Sequence, residues 1–279
     1  MKLQVIYVFY IADDNCDNKI YQMHYYWINK ISSYVDKFKF IVLYNNNIDD
    51  DIIFRIKGKL LSICESKTVE LIFEKNNSKF REGLYFKKYI IDNLNKYDDY
   101  LTFFAHTKGV SNPVGIENID NLLLWIDALY YFNFWWVNEM QTKLAFNTDY
   151  IIYGSLYFKD YRHTNTYHWF FSGSFYWLNT KKFNDYINAN NINVNNYLNI
   201  ENENLRRCAE LFIGNCLPIK YVAFHNDENF NKEYELFYEH GWEISYKFIG
   251  KLIEAYLNVA EVNFFYVDHK KIIDDINNV

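Results

Sequence analysis

Short apolar runs alternate with longer stretches of helical spacing through the N-terminal part of the chain, and this alternation constrains the fold more than any other feature. The runs cover residues 3–11, 38–44, 68–73 and 100–105. They are rich in Val, Ile, Phe and Tyr and too brief for helices, so each reads as a buried strand. Between the first two, residues 18–34 carry Ile20, Met23, Trp27, Ile28 and Ile31 at helical spacing. Residues 50–64 and 79–95 read as two further helices. Strands separated by helices of this length imply βαβ crossovers and a mainly parallel sheet.

The fourth run stops abruptly in Phe103-Phe104-Ala105-His106-Thr107-Lys108-Gly109. In open α/β sheets, ligands bind in the crevice outside the carboxyl ends of the strands. A strand ending in an imidazole, a hydroxyl and an ammonium aims three ligand-grade groups at that crevice. Gly109 lets the backbone turn sharply or approach a ligand closely. These residues read as the floor of a site for a phosphate-bearing substrate.

Beyond this turn the order changes. A polar loop (110–120) precedes an aromatic helix reaching about residue 144, then a short strand at 150–154. A loop rich in Tyr, Arg and His (158–167) leads into one strand at 169–178 that carries Ser172-Gly173-Ser174. A helix at 201–213 and a strand at 219–224, stopping at His225, follow. The tail mixes a helix (244–258), a strand (262–267) and a charged terminal helix. The expected organisation is a single α/β domain, residues 1–230, with a C-terminal helical extension, 231–279, packed on it. The aromatic helix approaches the ~20 residues that a membrane span needs. Asp127, Asn133, Asn138 and Glu139 interrupt it, and charges at mid-bilayer are costly. It reads as a buried helix, with peripheral membrane contact through exposed tryptophans as the alternative.

Composition narrows the functional classes. A net charge of −6 gives no global pull toward nucleic acid, although a local basic pocket is still allowed. Asn, Ile, Lys and Tyr are abundant while Gly (9) and Pro (2) are scarce. That bias suits an AT-rich genome, so the Asn-rich patches are not read as chemistry. Cys16, Cys64, Cys208 and Cys216 form no CxxC pair and match no zinc spacing. They read as small buried residues in a reducing compartment. No secretory leader is expected, so the chain is placed in the cytoplasm, with room for contact at the inner membrane face. No GxxxxGK[ST] occurs, which argues against phosphoryl transfer through a Walker site.

Three segments, FFAHTKGVS (103–111), LLLWIDALYYF (122–132) and HWFFSGSFYWLN (168–179) followed by CAELFIG (208–214), extend the reading. In this order they resemble a group of bacterial and large-virus glycosyltransferase-like proteins, and more broadly the nucleotide-sugar glycosyltransferases of GT-A type. The resemblance runs from about residue 5 to about residue 224. It implies a GT-A-like (Rossmann-like), mainly parallel sheet flanked by helices. It also implies a UDP- or GDP-linked sugar donor and a glycan or lipid-linked acceptor. One departure matters: where such enzymes carry Asp-X-Asp for Mn²⁺ or Mg²⁺, this chain has His106-Thr107-Lys108. Hard dications favour carboxylate oxygens, whereas a lysine brings its own positive charge to phosphate. Diphosphate binding by Lys108, with His106 as hydrogen-bond partner and no essential metal, is the expectation. A solvated turn lysine and a strand-capping histidine are the bland alternative.

Further candidates carry alternatives of their own. Asp13, after the first strand, suits a ribose or base contact or an ordinary turn. The resemblance brings Arg81 to the nucleotide, where it suits a bidentate phosphate contact; a surface pair with Glu82 or Glu74 is as plausible. Asp49-Asp50-Asp51 matches Asp-X-Asp by letters but opens a helix, where carboxylates suit the macrodipole. Ser172 and Gly173 are expected near the donor sugar, His168 at the pocket rim, and His225 on the diphosphate. Glu210, a lone carboxylate in an apolar helical segment, is the candidate base for an inverting transfer. Pairing with Arg206 or Arg207 is its structural alternative. The rival from another class is a catalytically silent nucleotide-sugar or carbohydrate-binding module. A different nucleotide-dependent transferase on a similar sheet is the third reading.

Overall fold

Ten residues, Lys2–Ile11, form β1, which is hydrogen-bonded in parallel to β2 (Lys37–Tyr44) on one edge and to β4 (Tyr100–His106) on the other. The computed structural model describes residues 1–12, 18–64, 67–77, 81–97, 99–107, 119–134, 137–146, 149–154, 157–159, 169–171, 175–196 and 208–224. β3 (Thr68–Lys75) adds to β2 in parallel. β8 (Tyr176–Asn179) pairs antiparallel with β4 and with β5 (Ile152–Gly154), and β9 (Val222–Phe224) runs parallel to β5. The seven-stranded sheet thus has the order β3-β2-β1-β4-β8-β5-β9. It is mixed and mostly parallel, with helices on both faces, as the alternating pattern predicts.

Local chemistry starts the helices where sequence reading expects. The Asn18 side chain accepts from the Ile20 and Tyr21 N–H groups (3.0 and 3.2 Å) and caps α1 (Lys19–Ser32). Asp49 caps α2 (Asp50–Ile63) through Asp51 N–H, and Asp50 and Asp51 fill the first turn, so this acidic run is a helix start. α4 (Ile119–Phe134) continues through α5 (Val137–Gln141) into a π-helical turn, Thr142–Phe146. α1, α2 and α4 cover one sheet face with β1's Val5, Tyr7 and Phe9. α3 (Arg81–Tyr89), α6 (Thr180–Ala189) and α7 (Cys208–Cys216) cover the other, with Ile6, Val8 and Phe104. Burial on both faces explains why β1 is apolar almost throughout instead of alternating.

Several polar groups in this core pair with one another. The Tyr7 hydroxyl lies 2.8 Å from His24 Nδ1 and 2.6 Å from the Tyr130 hydroxyl, which is itself 2.9 Å from His24 Nδ1. Burial pushes the ionisation of Tyr7 and Tyr130 far above the ordinary phenol range. Trp27 stacks on Tyr130 at 5.6 Å and donates its indole N–H to buried Asp127 at 2.7 Å. Asp127, which counts against a membrane span, is therefore a core partner. Among the described residues no helix is long and apolar enough to cross a membrane.

Several expected boundaries change. The helix expected over 79–95 ends at Tyr89 and gives way to a 3₁₀ segment, Ile91–Tyr97. The Asn93 amide and the Tyr97 hydroxyl donate to the carbonyls of Lys88 and Tyr89 (2.7 and 2.8 Å), satisfying the last turn and ending it. The single strand expected over 169–178 is two: β7 (Trp169–Phe171) pairs with β6 (Tyr157–Lys159) in a separate two-stranded sheet, and β8 joins the main sheet. Phe175, Tyr176, Trp177 and Leu178 are all buried because β8 is covered on both faces, so period-two alternation fails there. α6 was not anticipated. Asn179 caps its start through Lys182 N–H at 3.1 Å, and Asn191 adopts a left-handed φ of 52° just beyond its end. The expected helix at 201–213 is described only from Cys208, and the strand at 219–224 is a 3₁₀ turn followed by β9. The boundary near residue 230 and the whole extension lie outside the described residues.

Cys64 and Cys216 are free and buried, as the spacing implies, and burial pushes both thiols up to about 12. They are therefore protonated and inaccessible near neutral pH. Iodoacetamide at pH 8 should leave the Cys64 and Cys216 peptides unmodified in the native protein and label both after denaturation. Peptide mapping by mass spectrometry reads the difference.

Candidate functional site

The chain steps outward from β1 to β2 to β3, then crosses back to place β4 on the other side of β1. The carboxyl ends of β1 and β4 therefore flank a topological switch point, where open α/β sheets hold ligands. His106 is the last residue of β4 and lies opposite Val8. Its ring sits beside Phe175, with centroids 5.7 Å apart.

Thr107 closes this end of the sheet. Its N–H donates to Val8 C=O at 3.1 Å, and its hydroxyl oxygen accepts from Tyr10 N–H at 2.8 Å. The side chain is buried, and the two bonds extend the β1–β4 ladder past the strand end. Thr107 is thus held at the strand end through both its backbone and its side chain.

A second set of bonds ties the ends of β1, β2 and β3 together. The buried Tyr21 hydroxyl of α1 donates to Tyr10 C=O and accepts from Ala12 N–H, each at 2.9 Å. The Asn45 amide, just past β2, donates to the Tyr10 hydroxyl at 3.0 Å. The Asn76 amide, just past β3, donates to the Asn45 carbonyl oxygen at 3.1 Å. Tyr10, Tyr21, Asn45 and Asn76 were not candidates, because the Asn-rich patches were set aside as compositional. The available signal was position: Asn45 and Asn76 each directly follow a strand.

Other expected residues are placed by backbone alone or lie outside the described residues. Arg81 opens α3, which follows the carboxyl end of β3. Glu74, one of its alternative partners, is engaged by Lys88 and Tyr89. Glu210 is the third residue of α7, which leads through a 3₁₀ turn into the amino end of β9. β9 runs in the same direction as β4 through the β8–β5 pairings, so the start of α7 belongs to the carboxyl edge of the sheet. Asp13, Lys108, Gly109, His168, Ser172, Gly173 and His225 lie outside the described residues.

The donor set described at the end of β4 is an imidazole and a hydroxyl whose oxygen already accepts a backbone N–H. Neither group is the carboxylate oxygen that a hard dication favours. No family model matches this chain, and no curated protein matches it.

Thr107→Val keeps the shape but removes the hydroxyl that accepts from Tyr10 N–H. The orphaned donor should cost about 1–3 kcal/mol of stability, while Thr107→Ser should recover most of it. Urea titration with circular dichroism compares the three proteins.

Proposed function

We propose that this protein is a glycosyltransferase with a GT-A-like fold, moving a sugar from a nucleotide-diphosphate sugar to a glycan or lipid-linked acceptor. The observation that carries the reading is the switch point between β1 and β4, with β4 ending in His106 and followed in sequence by Thr107-Lys108-Gly109. Arg81 and Glu210 support it, since α3 and α7 both begin on the same edge of the sheet. The resemblance of the HTKG, WIDALYYF and SGSFYWLN segments points the same way.

In this reading Lys108 neutralises diphosphate oxygens and His106 hydrogen-bonds to them. Arg81 supplies a second cation, and His225 adds a contact to the diphosphate. Asp13 faces the nucleoside, and Ser172 and Gly173 let the donor sugar approach the backbone. Glu210 takes the proton from the acceptor hydroxyl as that oxygen attacks the anomeric carbon and the nucleoside diphosphate departs. His168 stands at the rim on the acceptor side.

Two measurements test the assignment. Lys108→Ala should weaken nucleoside-diphosphate binding roughly 10- to 150-fold, the equivalent of 1.5–3 kcal/mol for a lost charge-assisted contact, with EDTA leaving wild-type binding intact. Isothermal calorimetry checks both, and unchanged affinity in Lys108→Ala overturns the diphosphate site. Glu210→Gln keeps shape and hydrogen bonding but removes the proton acceptor. It should abolish sugar transfer and leave donor affinity near wild type. Donor binding without transfer in the wild-type protein itself, across a panel of acceptors, would favour the silent module.

A further inference from the structure

A cleft of about 490 Å³ lies at the other end of the strands, lined by Lys37, Lys39, Lys88, Lys96, Tyr89 and Tyr97 together with Glu70. The first residues of β2 supply Lys37 and Lys39, and register places Glu70 of β3 opposite Lys39. The end of α3 and the following 3₁₀ segment form the opposite wall. β2 rises roughly 3.3 Å per residue, so about 23 Å separates Lys37 from the end of the strand at the crevice. The two sites are distinct.

The cleft is built around a buried ammonium. Lys39 is only 9 % exposed. Its Nζ pairs with Glu70 Oε1 at 3.1 Å, donates to the Tyr97 hydroxyl at 3.2 Å, and lies 5.6 and 5.7 Å from the Tyr89 and Tyr97 ring centroids. Three N–H donors against these two acceptors leave one N–H without an acceptor among the described residues. Lys37 shares Glu70 at 3.2 Å, and Glu74 holds Lys88. Lys96 has no carboxylate partner among the described residues. Among the described residues, four ammoniums against two carboxylates leave two positive charges here, in a chain whose net charge is −6.

Packing does not require this excess. Like charges gathered in one cleft repel, and Lys96 gains no compensating contact among the described residues. The volume falls within the range that encloses small organic ligands and exceeds what a single ion needs. Two tyrosine rings and the Asn93 side chain in the same wall offer a flat surface and hydrogen bonds beside the cations. Lysine acts on phosphate as a point charge without demanding bidentate geometry. We propose that this cleft is a second anion site, separate from the crevice, that binds the phosphate dianion of a phosphorylated small molecule or a phospholipid headgroup.

The protonation states hold near neutral pH. Burial alone would push the Lys39 ammonium down, but the Tyr97 hydroxyl and Glu70 outweigh it and hold the group above its usual range. Burial alone would push the Glu70 carboxyl up, but Lys39 and Lys37 outweigh it and hold the group below the usual carboxylate range.

The test uses the full chain without nucleotide. Inorganic phosphate is titrated up to about 10 mM and followed by phosphorus NMR, and sedimentation is measured with phosphatidylcholine vesicles carrying or lacking phosphatidic acid. Wild type, the double variant Lys88→Gln/Lys96→Gln and Lys108→Ala are compared, with thermal melts as the folding control. A solvent-facing pair of lysines is chosen so that the buried Lys39–Glu70 unit stays intact. The double variant should lose affinity for phosphate about tenfold or more, a loss that persists when Lys108→Ala has removed the crevice's own contribution. Loss of binding to phosphatidic acid vesicles in the double variant identifies the lipid headgroup as the source; loss only with soluble phosphate identifies a free phosphorylated ligand. Equal binding by wild type and the double variant, binding to neither probe, or loss confined to Lys108→Ala overturns the proposal. The last result would leave the crevice reading standing, and failure of the crevice variants alone would leave this site standing.

Discussion

The architecture depends on β1 being hydrogen-bonded along both edges while both of its faces are buried. A strand in that position has no recourse to water, so every backbone group must find a partner in β2 or β4. The eight-residue register with β2 and the seven-residue register with β4 meet that demand. Where β4 runs out, Thr107 supplies its own N–H and hydroxyl oxygen to Val8 and Tyr10. A hydroxyl side chain at this position therefore follows from the backbone accounting of the central strand.

The same demand shapes the polar groups inside. Tyr7 points from β1 into the face covered by α1 and α4, and its hydroxyl meets His24 and Tyr130. Asp127 meets the Trp27 indole one turn away on α4. A buried polar atom without a partner costs more than an ordinary hydrogen bond contributes. These contacts consequently fix how α1 and α4 sit against each other, beyond what their apolar stripes specify.

The two ends of the parallel strands differ in character. At the carboxyl end, side chains of β1 and of the loops after β2 and β3 are bonded to one another, from Asn76 to Asn45 to Tyr10, which makes a polar rim. At the amino end of β2 and β3, long side chains with charged heads surround a cleft. A hydrogen-bonded rim suits a ligand that must be held in one orientation. A lysine-lined cleft suits an anion recognised mainly by charge.

Much of the first half was legible in the sequence. The alternation of apolar runs with helical spacing specified four strands and three intervening helices, because burial imposes a period that a single sequence displays. The carboxylates at 49–51 announced their helix because the dipole at a helix start is a local property. His106 and Thr107 were legible as strand-end residues on the ligand edge by the same local logic. What lay beyond local rules was settled by tertiary structure. The end of α3 at Tyr89 depends on Asn93 and Tyr97 reaching back to its carbonyls. The split of 169–178 depends on which partner each half finds, β6 or β4. The bond that occupies the Thr107 hydroxyl joins residues 97 positions apart. The basic cleft joins β2, β3 and a 3₁₀ segment that no spacing rule relates. Period and capping are properties of neighbours along the chain and can be read from it. Pairing partners and shared cavities are properties of neighbours in space, and only the folded sheet brings them together.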